Sequence, residues 1–539
     1  MIKMVRVAGI LLYSAVISAQ DAGTVYETIS DDDYRSRYGH AEMNISCART
    51  ARSPFERGLL QLHSFAWESA RESFKQATQA DPQCAMAYWG VAMTYYDGLH
   101  EHPSAEEVES ARAALASAWA AKTRSEREAG YISAAEHIFR GYPEVERVLR
   151  DQKYSEAMAE LFQAYPDDHE AATFYSLSLL SLARRKANDH TLQMQAAGIL
   201  EPLLAKLPDH PGVAHYLIHA YDDAGMRGPG IEAARRYAGI APVLTHPQHM
   251  PAHIFAGLGM WKENNLSNAK ALEADPAYYH ALMYLVYGHL QLGQRRQAAE
   301  LVENLRQFTL TPGASRASRR GLHSASTWLL LESRDWFAAA EAPAYSDAVV
   351  DMLDTLYVRG LGAARTGDVT RANMALDSLK DLLAQLEQQD DTDNKVRILL
   401  GQIQIRQVEA LIQLAIGNND AAIKTMREAI AIADRPGINR AQPDSGTGVP
   451  AHELFGEILM STGQYVEAML EFSASLQRTP NRLYSVIGLA QAAAAAGDQT
   501  VARAQYKAVL DLLAESDEPL AELTEAQTYL GDMTLNLSR

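Results

Sequence analysis

Histidines crowd one stretch of this 539-residue chain. In His215-Tyr-Leu-Ile-His219-Ala-Tyr-Asp222-Asp223 the polar residues fall at i, i+4, i+7 and i+8, so a helix there carries both imidazoles and at least one carboxylate on one face. Two histidines one turn apart have Cβ atoms about 6 Å apart and can grip one transition-metal ion. A second run, His246-Pro-Gln-His249-Met-Pro251-Ala-His253, places Pro251 where a helix can begin, with His253 in its first turn and His249 just ahead. The dipole at that end disfavours imidazolium, and a neutral ring is what a metal ion requires. His280 lies a short way on, with Met283 one turn later. The competing reading is a hydrogen-bonded histidine network or a polar peptide-binding groove. His100-Glu101-His102, ahead of Pro103, is a further candidate that also reads as a solvated turn.

The elements that must position these residues are helices. From Phe55 onward apolar residues recur at three- and four-residue spacing, and no alternating run of strand type stands out, so the chain reads as all-α. A frame recurs as well: Gly58, Ala70, Phe74, Ala77, Pro82 returns as Gly456, Ala468, Phe472, Ser475, Pro480. Looser copies are Ala410, Ala422, Met426, Ala429 and Ala490, Ala502, Tyr506. This frame resembles the tetratricopeptide repeat (TPR), in which small residues let two antiparallel helices approach and an aromatic fills the gap. The resemblance implies a right-handed α-solenoid of helix pairs whose first helices line a concave groove. With Tyr221, Ala256 and Ala298 setting three successive frames, His215, His219 and Asp222 take repeat positions 2, 6 and 9, His253 takes 5 and His280 takes 2. The resemblance assigns those positions to the groove, and also position 13 of the first repeat, held by His63. The expected metal ligands are His215, His219, Asp222, His249, His253 and His280, with His63, Asp223, His246 and Met283 as additional groove residues.

Breaks in the pattern suggest joints at Thr311–Gly321, at Gln388–Asn394 and at Asp434–Pro450. They divide the chain into a solenoid at 54–310 bearing the histidines, middle repeats at 322–433 and C-terminal repeats at 451–539. Ahead of these, Lys3 and Arg6 precede an apolar stretch, Val7 to Ile17, followed by Ser18 and Ala19, which reads as a secretory signal over 1–19. Residues 20–53 form an N-terminal segment. The expected location is periplasmic or secreted, with no membrane span once the signal is cleaved. In such an oxidising compartment the two cysteines, Cys47 and Cys84, are expected to form a disulfide, the alternative being two buried thiols. A formal charge of −18 with no Lys/Arg block argues against binding nucleic acid and favours cationic ligands.

Several strings, among them Leu62-His63-Ser64-Phe65, Ala87-Tyr88-Trp89-Gly90 and His249-Met-Pro-Ala-His253-Ile-Phe, resemble a group of secreted bacterial TPR-like proteins. That resemblance implies no particular reaction. Where it suggests His-Ala-Leu-Asp-Tyr, this chain has His280-Ala-Leu-Met283-Tyr284, which exchanges a hard ligand for one suited to Cu(I). The chain has no His-Glu-x-x-His, no Gly-x-Ser-x-Gly, no phosphate-binding Gly-Lys-Ser/Thr loop and no Cys-x-x-Cys. Gly257-Leu-Gly259 and Gly360-Leu-Gly362 read as close helix packing, and Arg316, Arg319 and Arg320 as a solvated loop patch. Three functions follow: a scaffold for a protein or peptide partner with a copper or zinc ion in its groove, a metal-dependent hydrolase or oxidase using the same cluster, or a metal-free envelope adaptor.

Overall fold

The computed structural model describes residues 31–536 apart from 100–102, 186–189, 224, 312–313, 390–393, 436–437 and 439–447. The signal assigned to 1–19 and the His100-Glu101-His102 candidate therefore lie outside the described residues. Within them the chain is an all-α solenoid of helix pairs, and the sole β feature is an isolated bridge between Cys84 and Thr123. No described helix is long and apolar enough to cross a membrane.

The recurring frame has a steric cause. Phe74, fully buried on helix Trp67–Ala80, lies between Gly58 and Gly90. A Cβ at either glycine would come within 2.8 or 2.3 Å of its ring. Phe472 is held in the same way between Gly456 and Gly488, again at 2.8 and 2.3 Å. The small residues are there because a large ring must enter the seam between three helices. Ala70, Ala77, Ala468, Ala410, Ala422, Ala429, Ala490 and Ala502 are fully buried on the same seams, each removing apolar area from water at little entropic cost.

The later repeats return to pack against the middle of the solenoid. Asn481 accepts a hydrogen bond from the Trp261 indole at 2.8 Å, and its side chain donates to the Gly259 carbonyl at 3.3 Å. Gly259 has φ +66°, and a Cβ there would stand 1.8 Å from the Pro480 carbonyl oxygen, so only glycine fits this approach. Beside it Arg482, 1% exposed, binds Glu332 and Glu453 at 2.8 to 2.9 Å and donates to the Tyr287 hydroxyl. Burial works against the Arg482 charge, but the two carboxylates outweigh it and hold the guanidinium firmly protonated. Asp517 accepts from the backbone amides of Arg296 and Gln297, which extends the contact.

Two readings change. Arg316, Arg319 and Arg320 lie in the first turns of helix Arg316–Ser333, capped by Ser315, because that hydroxyl accepts from the Ser318 amide and starts the helix inside the presumed loop. Of the two Gly-Leu-Gly strings, Gly257 abuts Arg227 and Gly362 abuts the Ala340 amide, so both pack closely, whereas Gly259 serves the returning repeats. Cys47 and Cys84 are joined in a disulfide, and Cys84 also caps helix Ala85–Met93 through the Ala87 amide.

Two outcomes are expected. Closing a 37-residue separation contributes about 3 to 4 kcal/mol in the chain-entropy view. Thiol titration of the denatured, unreduced protein should find no free thiol, and two would refute the pairing. Replacing Gly488 by Ala should cost about 1 to 3 kcal/mol despite better helix propensity, because the Phe472 ring has nowhere to go. Hydrogen exchange should show the loss in helices Tyr465–Arg478 and Leu483–Ala496, and unchanged protection there would disprove the seam argument.

Candidate metal centre

Three successive first helices carry the histidines. Helix Pro211–Tyr221 starts at Pro211, with His210 as its cap accepting from the Val213 amide at 3.2 Å. His215 and His219 follow on one face, their Nε2 atoms 3.1 Å apart. Helix Pro251–Gly257 begins at Pro251 and carries His253 in its first turn. Just ahead, the short helix Thr245–His249 supplies His246 and His249. His280 is the second residue of helix Tyr279–Gln291.

The six imidazoles divide into two triads, His215/His219/His246 and His249/His253/His280, with the ligand atoms of each within 4.8 Å of one another. In the first, His215 Nε2 is 3.0 Å from His246 Nε2 as well as 3.1 Å from His219 Nε2. In the second, His249 and His253 face each other through Nε2 at 3.0 Å.

The opposite ring nitrogens decide what this convergence means. His249 Nδ1 donates to Asn268 Oδ1 at 2.7 Å, and Asn268 is oriented by its own donation to the Asn264 carbonyl at 2.8 Å. His253 Nδ1 donates to Asp222 Oδ2 at 2.8 Å. His215 Nδ1 donates to the His63 carbonyl at 2.7 Å. A neutral imidazole that has spent its proton at Nδ1 can only accept at Nε2. His249 and His253 therefore aim two lone pairs at each other, an arrangement that needs a proton or a cation between them. Imidazole nitrogens are donors that both copper and zinc take.

A third set, His63/Glu170/His210, shows what a satisfied network looks like. Glu170 accepts from His63 at 2.8 Å and from His210 at 2.9 Å. The other nitrogens face the Tyr216 hydroxyl at 3.0 Å and the Val213 amide at 3.2 Å. Burial pushes the Glu170 carboxyl up, yet its two histidine partners outweigh it and hold it well below the usual range. Burial in turn pushes the His63 imidazolium down, against the pull of Glu170. His63 is fully buried rather than exposed to the groove, and its carbonyl is what meets His215. Its register position pointed to the groove, but the helix pair at Pro211 covers it.

Asp222 is drawn away from a ligand position, since it orients His253 and pairs with Arg227 at 3.2 Å. Asp223 pairs with His190 at 3.1 Å. Met283 is half-buried and lines the groove together with His246, His253 and His280. That groove encloses about 1170 Å³. Sequence reasoning missed Asn268, Tyr278, whose hydroxyl meets His246 Nδ1 at 3.0 Å, and Tyr284, 3.2 Å from His253 Nδ1. It also missed Phe65, which has φ +56° and sets its ring 4.4 Å from His215, closing one side of the first triad. The Tyr-Tyr-His string at 278–280 was a signal for Tyr278, and Phe65 and Tyr284 stood in the strings that carry the resemblance; nothing local marked Asn268.

The fold and the site together define a helical-repeat protein with a histidine-lined groove. No protein-family profile matches the chain, and no curated protein matches it. Solved structures align with it along most of its length at low identity. A human IFIT1 dimer with m7Gppp-AAAA has a TM-score of 0.36 at 13% identity, with 90% of this chain and 96% of that one covered. The Cut9–Hcn1 hetero-tetramer of the APC/C has a TM-score of 0.32 at 12% identity, covering 89% and 75%. Yeast Tom70 has a TM-score of 0.28 at 12% identity, covering 90% and 89%.

If Asn268 acts by fixing the His249 ring, Asn268→Leu should weaken metal binding about 10- to 100-fold in competition with a chelator while leaving the helical circular dichroism unchanged. Undiminished affinity in a folded variant would remove Asn268 from the site.

Proposed function

We propose that this protein is an extracytoplasmic helical-repeat scaffold that holds transition metal, copper or zinc, on the wall of its groove and presents it to a protein or peptide segment lying there. The observation that carries the reading is the pair of Nε2 lone pairs on His249 and His253, 3.0 Å apart with both Nδ1 atoms committed to acceptors. The all-imidazole composition of both triads suits copper or zinc and supplies no hard oxygen ligand. The Cys47–Cys84 disulfide supports an oxidising compartment.

An enzymatic reading is favoured by one feature. Three protein ligands leave open coordination positions, and His246, His253 and His280 line a groove large enough for a substrate. Within that reading an oxidase fits better than a hydrolase, because neither triad includes a carboxylate to act as general base.

Elemental analysis of protein purified without chelators should find stoichiometric copper or zinc, and metal-free native protein would leave only the adaptor reading. The double change His219→Ala with His246→Ala should lower the metal content with little change in helicity, since both side chains are only half-buried. His215 is a poor choice for this test. It is fully buried and stacks on Tyr237 at 5.0 Å, so its removal also opens the core.

A further inference from the structure

The six histidines present more donors than one ion can take. Each triad is complete in itself, with ligand atoms within 4.8 Å of one another. Each also has its own outer acceptors: the His63 carbonyl and the Tyr278 hydroxyl stand behind His215 and His246, whereas Asn268 and Asp222 stand behind His249 and His253. An ion that borrowed rings from both triads would have to pull them off these anchors.

The triads nevertheless touch. His219 and His253 have ring centroids 6.4 Å apart, and His246 and His249 are 6.5 Å apart. Ions seated in adjoining triads would therefore be neighbours, the arrangement in which one small ligand reaches both, as at two-metal sites. Imidazoles are neutral, so the ions keep their full charge, and the carboxylate contacting a ring, Asp222, is already shared with Arg227. Two close dications with neutral ligands repel unless a small anion sits between them. Water is available from the groove. Bound between the ions it loses one proton to solvent and remains as a bridging hydroxide.

We infer that the two triads form one dinuclear centre, three imidazoles to each ion, which takes a small anionic oxygen or nitrogen donor as a bridge between the metals. This rests on the metal reading above, and it adds the number of ions, their coupling and the class of ligand they bind.

The test loads the purified full-length chain with Cu(II), removes loosely held metal and compares copper content with the spin concentration seen by electron paramagnetic resonance. Two coppers per chain with most of the signal lost through coupling is the expected result. His246→Ala and His280→Ala change the less buried members of the two triads. Each variant, checked for native helicity, should hold one copper and regain a full one-spin signal. Added azide should perturb the visible absorption of the wild type far more than that of either variant. No copper at all overturns the metal reading itself. One copper per wild-type chain overturns the dinuclear inference and leaves the metal reading intact. Two coppers giving two full spins overturn the bridge.

Discussion

Everything at the candidate site depends on the direction of a few imidazole protons. A histidine can offer its Nε2 lone pair to an ion only if its other nitrogen keeps the proton, and a buried ring keeps it there only when a fixed acceptor waits. The solenoid supplies these acceptors from several layers: a backbone carbonyl at the end of the first described repeat helix, a carboxylate at the end of helix Pro211–Tyr221, and an amide on helix Trp261–Ala274. The His63/Glu170/His210 network lies one layer deeper, with every ring nitrogen facing a protein partner. Its ring nitrogens are engaged by a carboxylate, a hydroxyl and a backbone amide rather than by one another. What distinguishes the two triads is where their second nitrogens point.

Much of the architecture was legible in the sequence because it follows from local sterics. The spacing of Gly58 and Phe74, repeated in Gly456 and Phe472, has a direct cause in the ring that enters each seam. Pro211 and Pro251 mark helix starts because proline gives up only an amide that the first turn leaves unused anyway. Repeat register then brought His215, His219, His253 and His280 to one region. Their division into two triads was not legible, because it depends on how far each helix pair rises and turns on the last. The same is true of His63, whose ring is sealed beneath a helix more than a hundred residues later in the chain, and of Asp222, whose role is settled by Arg227 and His253 together. Arg316 was misplaced because a charged, glycine-flanked segment looks like a loop until its serine cap is seen.

The contact made by the later repeats changes how stability is distributed. In an open solenoid each repeat answers mainly to its neighbours, and stability is close to a sum of local terms. Here Arg482, Asn481 and Leu483 reach back to Glu332, Trp261 and Gln291, which links helices far apart in sequence. The buried Arg482 cluster holds two carboxylates and a guanidinium, and losing one partner would leave uncompensated charge in the core. The joint is therefore strong when whole and costly when incomplete.

That joint also sets an order in time. The Pro480 carbonyl rests on Gly259, two residues beyond the end of the short helix that carries His253. A chain made from its N-terminus presents all six imidazoles about two hundred residues before this buttress exists. During synthesis the second triad lacks this support until the segment around Pro480 has been made. On the metal reading proposed above, the ion would be selected by the folded frame rather than by the nascent peptide.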